Sequence, residues 1–364
     1  MTFGAMLESV ALLDGAGEAL AHMLESIRYA RRTVHLEASR LPGGRMKEEL
    51  RAALSLACRR GVRVTVVHDG PGTSGDHTAP AALRGDWCRV RTSHALAGLR
   101  LPRRRNRRLV VIADGEVAFL GEEDVFDGHG SGEAPPGSRP DRCRGASALA
   151  LEVRGPAAAC LERRLRGSPS RSLRGRVSIW LPELYGCRSL RGRAHGALGA
   201  ARREIVAAYS PAALDWRSAR SLAAAAGRGV RVTALLSQQV DAPLARAATL
   251  HLYRKLLAAG VEVREWTRSV DRANVSVVDG KRLLVGRFGA DPLAGGGLDS
   301  LVEVDDPLAA AAGRSWLTAR LEISRPVGAG DLATRGALRP SVPETVMLAF
   351  ARSAQWIGQL RPRP

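Results

Sequence analysis

The stretch Arg105-Asn106-Arg107-Arg108-Leu109-Val110-Val111-Ile112-Ala113-Asp114-Gly115, continuing through Val117-Ala118-Phe119-Leu120-Gly121, places two short apolar runs on either side of an Asp-Gly pair. Aliphatic and β-branched residues on both flanks predict two strands, and Asp-Gly is a favoured dipeptide for a tight hairpin turn. A second stretch follows the same plan: Arg272-Ala273-Asn274-Val275-Ser276-Val277-Val278-Asp279-Gly280, continuing to Leu284-Val285-Gly286 and then Asp291-Pro292-Leu293. The two Asp-Gly pairs lie 165 residues apart. The chain therefore reads as two copies of one unit.

Working outward, the copies extend well beyond the hairpins. Arg60-Gly61-Val62-Arg63-Val64-Thr65 recurs letter for letter as Arg228-Gly229-Val230-Arg231-Val232-Thr233. Upstream, Ala30-Arg31-Arg32-Thr33-Val34 answers Ala201-Arg202-Arg203-Glu204-Ile205, each a helix end running into an apolar strand. Downstream, Glu152-Val153-Arg154-Gly155-Pro156 mirrors Glu303-Val304-Asp305-Asp306-Pro307, each a strand leading into a helix with proline in its first turn. Helical spacing of apolar residues marks Glu18 to Tyr29, Met46 to Arg59, Ala219 to Ala226 and Leu244 to Ala259, the last closed by Gly260. Strands fit Val62 to Val67 and Val230 to Leu236. The first copy carries an extra Gly/Pro/Ser-rich loop, Asp127 to Gly145. The expected architecture is α/β, with homologous halves at residues 1–166 and 176–322 joined near Gly167 to Gly175, and a C-terminal tail at 323–364.

Length and composition agree with two globular units. The chain has 364 residues, 45% of them hydrophobic, which excludes a disordered or fibrous protein. Its formal charge is +19, and all but Lys47, Lys255 and Lys281 of the 55 basic residues are arginine. Such a field attracts polyanions, with anionic lipid head groups and nucleic acid as the natural candidates. Only 4% of residues are aromatic, which leaves few platforms for stacking bases and ranks nucleic acid second. Cys58, Cys88, Cys143, Cys160 and Cys187 are scattered without a CxxC pair, which argues against a zinc site or a disulfide framework. With no apolar run of bilayer length and no signal-peptide pattern, the expected location is cytoplasmic, peripheral to the inner face of the cell membrane.

At the hairpins the sequence resembles the phospholipase D superfamily, and closely its cardiolipin synthases. Val34-His35-Leu36-Glu37, Asp241-Ala242-Pro243-Leu244 and Leu252-Tyr253-Arg254-Lys255 through Gly260-Val261-Glu262-Val263 add to the likeness, which spans roughly Val10 to Leu321. The resemblance implies two phospholipase D-like α/β/α halves related by pseudo-twofold symmetry, with a cleft between them, and phosphatidyl transfer without a metal or cofactor. It also implies a histidine, a lysine two residues later and an aspartate five after that in each half. One histidine attacks phosphorus, the other protonates the leaving alcohol, and the lysines neutralise phosphoryl oxygens.

Here the first signature reads Arg107, Leu109, Asp114 and the second Arg272, Asn274, Asp279. Only the aspartates match. A guanidinium with a pKa above about 12 offers no lone pair near neutral pH, so neither arginine replaces a catalytic histidine. Positions expected to support the phosphate pocket are Glu122, Glu123, Asp124 and Arg287, Phe288, Gly289. Two readings of the altered cleft stand open: a non-hydrolysing phosphate clamp formed by Arg107 and Arg272, or drift after loss of catalysis. His68, followed by Asp69 at the end of a strand, is the alternative histidine, and His35 beside Glu37 reads as a core or sheet-face residue. His251 reads as helix surface, and His77, His94 and His129 as loop residues. Ser341 to Glu344 followed by Val346, Met347, Phe350, Ala354, Ile357 and Leu360 predicts a C-terminal amphipathic helix. The expectation is a cardiolipin synthase-like pseudoenzyme that binds anionic phospholipid or a partner enzyme; the alternatives are an active phosphatidyltransferase using other residues and a nucleic-acid-binding module.

Overall fold

A computed structural model describes residues 8–38, 44–69, 88–93, 108–122, 149–167, 176–181, 187–209, 214, 216–237, 252–266, 274–286 and 300–334. The chain divides into two compact units, Met1–Leu184 with Leu298–Val304, and Tyr185–Gly297 with Asp305–Pro364.

In the first unit β1 (Ser9–Asp14), β2 (Thr33–Ala38), β3 (Arg63–Asp69), β4 (Arg89–Ser93), β5 (Arg108–Ala113), β6 (Val117–Glu122) and β7 (Leu149–Arg154) form one sheet in the order β1-β7-β6-β5-β2-β3-β4. β2, β3 and β4 run parallel, and the remaining neighbours are antiparallel. All six residues of β2 are buried, as a central strand covered on both faces requires. Helix α1 (Ala16–Tyr29) buries Ala19, Leu20, Met23, Leu24 and Ile27, one stripe at helical spacing. That stripe joins Leu50, Ala53, Leu54 and Ala57 of α2 (Gly44–Arg59) and Leu36, Val64, Val66, Leu109, Val111 and Phe119 of the sheet in one core. Helix α3 (Pro156–Leu165) packs on β6, β7 and β8 (Val177–Trp180).

The second unit holds α4 (Cys187–Gly199), β9 (Glu204–Tyr209), α5 (Trp216–Gly227), β10 (Arg231–Ser237), α6 (252–258), β11 (Glu262–Trp266), β12 (Val275–Val278) and β13 (Arg282–Gly286). Strand β14 (Leu301–Asp305) leads into α7 (Pro307–Glu322), β15 (Arg325–Pro326) and α8 (Ala329–Thr334). The run β13-β12-β9-β10-β11 reproduces β6-β5-β2-β3-β4 strand for strand, with the same parallel and antiparallel senses. The antiparallel pair β8–β14 likewise matches β1–β7. Strand β15 adds an antiparallel edge on β11.

The hexapeptide repeat has a mechanical cause. Gly61 (φ 83°) and Gly229 (φ 86°) take the left-handed conformation that ends α2 and α5. At each end the glycine N–H and the following valine N–H reach back into the last turn, to Cys58 and Ala57 in one case and to Ala226 and Ala225 in the other. The arginine before each glycine then donates to carbonyls at the end of the preceding helix. Arg60 Nη2 bonds the oxygens of Ile27 and Ala30, and Arg228 Nη2 those of Gly199 and Ala201. One six-residue motif thus caps a helix, ties it to its neighbour and starts a strand.

The expected helices and strands that fall on described residues are present. Residues 244–251 of the predicted Leu244 to Ala259 helix, the Asp127 to Gly145 loop and the C-terminal helix lie outside the described residues. Among those described, no helix is long and apolar enough to cross a membrane.

Gly313 on α7 faces the β12–β13 hairpin so closely that a Cβ there would sit 2.5 Å from Leu283 Cδ1 and 3.1 Å from Val277 Cγ2. Both of those side chains are fully buried. Gly313→Val is expected to lower stability by about 1–3 kcal/mol through overpacking, measured by urea unfolding of the full chain.

Candidate functional site

Asp114 and Asp279 occupy the same structural place in each half. Asp114 (φ 54°) with Gly115 (φ 68°), and Asp279 (φ 53°) with Gly280 (φ 66°), form the turns of the β5–β6 and β12–β13 hairpins. Two consecutive positive φ values are the type I′ geometry expected for Asp-Gly. Each carboxylate faces the segment where a helix has just ended and a strand begins. Asp114 accepts the backbone N–H groups of Arg31 (2.8 Å), Arg32 (2.7 Å) and Thr33 (2.8 Å), while its own N–H donates to Thr33 O at 2.8 Å. Asp279 accepts those of Arg202 (3.0 Å), Arg203 (2.7 Å) and Glu204 (3.0 Å), and donates to Glu204 O at 2.9 Å.

Burial alone would raise both carboxyls. The three backbone donors and the neighbouring guanidinium, Arg32 for Asp114 and Arg203 for Asp279, outweigh it and hold each group below the ordinary carboxylate range.

The turns lie at the far end of β5 and β12 from Leu109 and Asn274. Leu109 is five residues upstream of Asp114, and at roughly 3.3 Å per residue the two are about 16 Å apart along β5. Leu109 is 0% exposed and part of the core beneath α1 and α2. Asn274 is 1% exposed at the start of β12, with its carbonyl accepting Gly286 N–H at 3.0 Å. Arg107, Arg272, Glu123, Asp124, Arg287, Phe288 and Gly289 lie outside the described residues, as does the side chain of Glu122.

Among the described residues His35 and His68 do not converge. His35 Nε2 is 3.8 Å from Glu37 Oε2, both side chains nearly buried on β2. Their cross-strand partners Ile112 and Val110 place them on the sheet face opposite Leu109 and Val111. His68, 6% exposed at the end of β3, pairs with Ala38 and so belongs to the other face from His35. His77, His94, His129 and His251 lie outside the described residues. Among the described residues no three His, Cys, Asp or Glu side chains gather where a metal ion would be held.

Sequence reasoning missed one charged cluster. His22 Nδ1 on α1 meets Glu152 Oε2 on β7 at 2.7 Å, and Arg154 pairs with the other oxygen of the same carboxylate. Glu152 is 6% exposed. A lone glutamate inside the apolar run Leu149-Ala150-Leu151-Glu152-Val153 was the available signal, because a buried carboxylate requires partners. The triad ties α1 to the sheet.

Comparisons with known proteins agree with this architecture. Residues 196–316 match the family model described as cardiolipin synthase, PLD-like domain. The chain is 25% identical over 311 residues to cardiolipin synthase B of Salmonella typhi, covering 78% of this chain and 73% of that one. It is 26% identical over 273 residues to cardiolipin synthase B of Escherichia coli K12, covering 68% of this chain and 64% of that one, slightly less than two thirds of the relative's length. Among solved structures, phosphatidylserine synthase of Haemophilus influenzae superposes with a TM-score of 0.65 at 11% identity, covering 98% of this chain and 97% of that one. Polyphosphate kinase of Porphyromonas gingivalis gives 0.55 at 12% identity, over 96% of this chain and 56% of that one. The fold is that of the phosphatidylserine synthase structure. In sequence the chain is similar to cardiolipin synthases, over residues 196–316 by the PLD-like domain and over 311 residues by the Salmonella relative.

Because each aspartate's folded pKa lies below its unfolded one, its stabilisation is present above the ordinary carboxylate pKa and is lost as pH falls through the lowered value. Asp114→Asn and Asp279→Asn keep a side chain tolerant of positive φ but replace acceptor oxygen with a donor. Each is expected to cost about 1–2 kcal/mol at pH 7, discounted for partial exposure, with the deficit shrinking below roughly pH 4. Urea unfolding across a pH series checks both sign and window.

Proposed function

We propose that this chain binds anionic phospholipid at a membrane surface without turning it over. The observation that supports the reading is the chemistry of the four positions where the reaction requires imidazole and ammonium groups. Two are arginines, Arg107 and Arg272, and two are neutral buried residues, Leu109 and Asn274. Transfer of a phosphatidyl group through a covalent intermediate needs a lone pair to attack phosphorus and a proton to release the alcohol. A guanidinium supplies neither near neutral pH, and leucine and asparagine supply no charge for the phosphoryl oxygens. The aspartates do not argue for activity, since each is occupied with backbone donors at the far end of its strand.

What the arginines do supply is permanent charge with paired N–H donors, a match for a phosphodiester's two free oxygens. The net charge of +19 draws the chain to an anionic leaflet. On this reading the inherited fold is a phosphate-binding scaffold on the cytoplasmic face of the membrane, and the substrate class of its relatives survives as a ligand class.

The full chain, purified and mixed with phosphatidylglycerol vesicles, is expected to form no cardiolipin or glycerol above a protein-free blank. It is expected to float with those vesicles and not with phosphatidylcholine ones. Arg107→Ala with Arg272→Ala should weaken flotation by roughly tenfold or more, at about 1 kcal/mol per arginine. Cardiolipin formation, or a phosphorylated protein adduct during lipid incubation, would overturn the inactive assignment. Equal flotation of the double variant would remove the clamp, and retention of duplex DNA with no vesicle binding would favour the nucleic-acid module.

A further inference from the structure

Two cysteines that are distant in sequence meet at one edge of the first sheet. Helix α2 ends at the side where β3 begins, because the Gly61 cap turns the chain directly into that strand. β4 runs parallel to β3 in the register Thr65 to Arg89, so the residue before β4 lies at that same edge. Cys58, in the last turn of α2, and Cys88, immediately before β4, are the residues so placed. Their sulfurs are 2.7 Å apart, so no other atom lies between them. Cys88 is 5% exposed, and Cys58 is half-buried.

The second unit shows that the fold does not require sulfur here. Counting from the shared hexapeptide, Cys58 corresponds to Ala226, and by strand register Cys88 corresponds to Val261. Two small or apolar side chains satisfy the same packing in that unit, with Val261 buried and Ala226 half-buried. In the first unit the packing demand is met by a pair able to do chemistry.

We propose that Cys58 and Cys88 form a reversible disulfide, a redox modification site that locks α2 to β4. With hydrogen peroxide as oxidant, the Cys58 thiolate attacks the O–O bond, giving a sulfenic acid and hydroxide. The Cys88 thiolate then attacks that sulfur, forming the S–S bond and expelling a second hydroxide, which is protonated to water. Two thiols lose two electrons and two protons, and one peroxide becomes two waters. A dithiol reductant reverses the step by thiol–disulfide exchange. The bond would close a 30-residue separation that contains all of β3, and so restrict the unfolded chain more than the folded one.

The test uses the full chain and is independent of lipid binding. Protein treated with peroxide, quenched, denatured and labelled with a maleimide polymer should carry three adducts in place of the five that the sequence allows. Non-reducing tryptic mass spectrometry should show peptide 52–59 joined to peptide 85–89, two hydrogens lighter than their sum. Dithiothreitol should restore both, and the oxidised protein should melt at least about 3 °C higher than the reduced form. Cys58→Ala and Cys88→Val, which install the residues the second unit already uses, should fold and lose the crosslink and the melting shift. Cys160→Ala should keep both. Five labelled thiols after oxidation, a crosslink between other cysteines, or Cys58 driven to sulfinic acid with Cys88 still reduced would overturn the proposal.

Discussion

A carboxylate held by three successive backbone N–H groups is the interaction on which each sheet depends. The N–H groups of residues 31–33 and 202–204 follow the end of a helix and have no place in its ladder. Left unbonded beside a buried strand they would destabilise the junction. The aspartate at the hairpin turn satisfies all three at once, and its own N–H completes the ladder to the first residue of the central strand. It thereby sets the register between β2 and β5, and between β9 and β12, because a slip by one residue would carry the carboxylate away from its donors and invert every side chain. Asp-Gly is needed because two left-handed residues must follow one another, and the second has no side chain to strain.

The same geometry separates the two ends of each hairpin strand. Each aspartate lies at the turn, and Leu109 and Asn274 lie at the opposite ends of β5 and β12. Neither residue takes part in the turn clamp, whereas loss of Asp114 or Asp279 exposes three donors. Folding alone therefore requires the aspartates. Leu109 at the other end of β5 contributes to the core beneath α1 and α2.

Most of the fold was legible because its signals are local or repeated. The Asp-Gly hairpins, the glycine caps of α2 and α5, and the prolines at the starts of α3 and α7 each report a backbone conformation through one or two residues. The hexapeptide shared by the two halves located the equivalent strands without any knowledge of their pairing. What was not legible depends on side chains that meet across the sheet. His22 and Glu152 are 130 residues apart, and Cys58 and Cys88 are separated by a full strand. No periodicity relates such partners, although the isolated glutamate in an apolar run gave notice that one existed. The sheet faces of His35 and His68 likewise follow from register, which two adjacent parallel strands do not disclose until they are paired.

Comparison of the halves separates what the fold demands from what it permits. Where they agree, as at the aspartate clamps, the capping arginines Arg60 and Arg228, and the buried Glu152 and Glu303, the shared residue has an architectural task or occupies an equivalent buried position. At some places where they differ, the first half carries ionisable or redox-active groups and the second carries aliphatic ones, while Leu109 and Val111 of the first half answer the polar Asn274 and Ser276 of the second. His35 and Glu37 answer Val206 and Ala208, His68 answers Leu236, and Cys58 and Cys88 answer Ala226 and Val261. A half that folds with aliphatic side chains at these places shows that packing there is satisfied without polar atoms. Burying a histidine, a carboxylate or a thiol at such a position carries a desolvation cost that an aliphatic side chain avoids. At these places the first half therefore holds its polar groups for reasons other than packing, and they lie on β2, β3, the last turn of α2 and the residue before β4, away from the Asp-Gly turns that both halves need to fold.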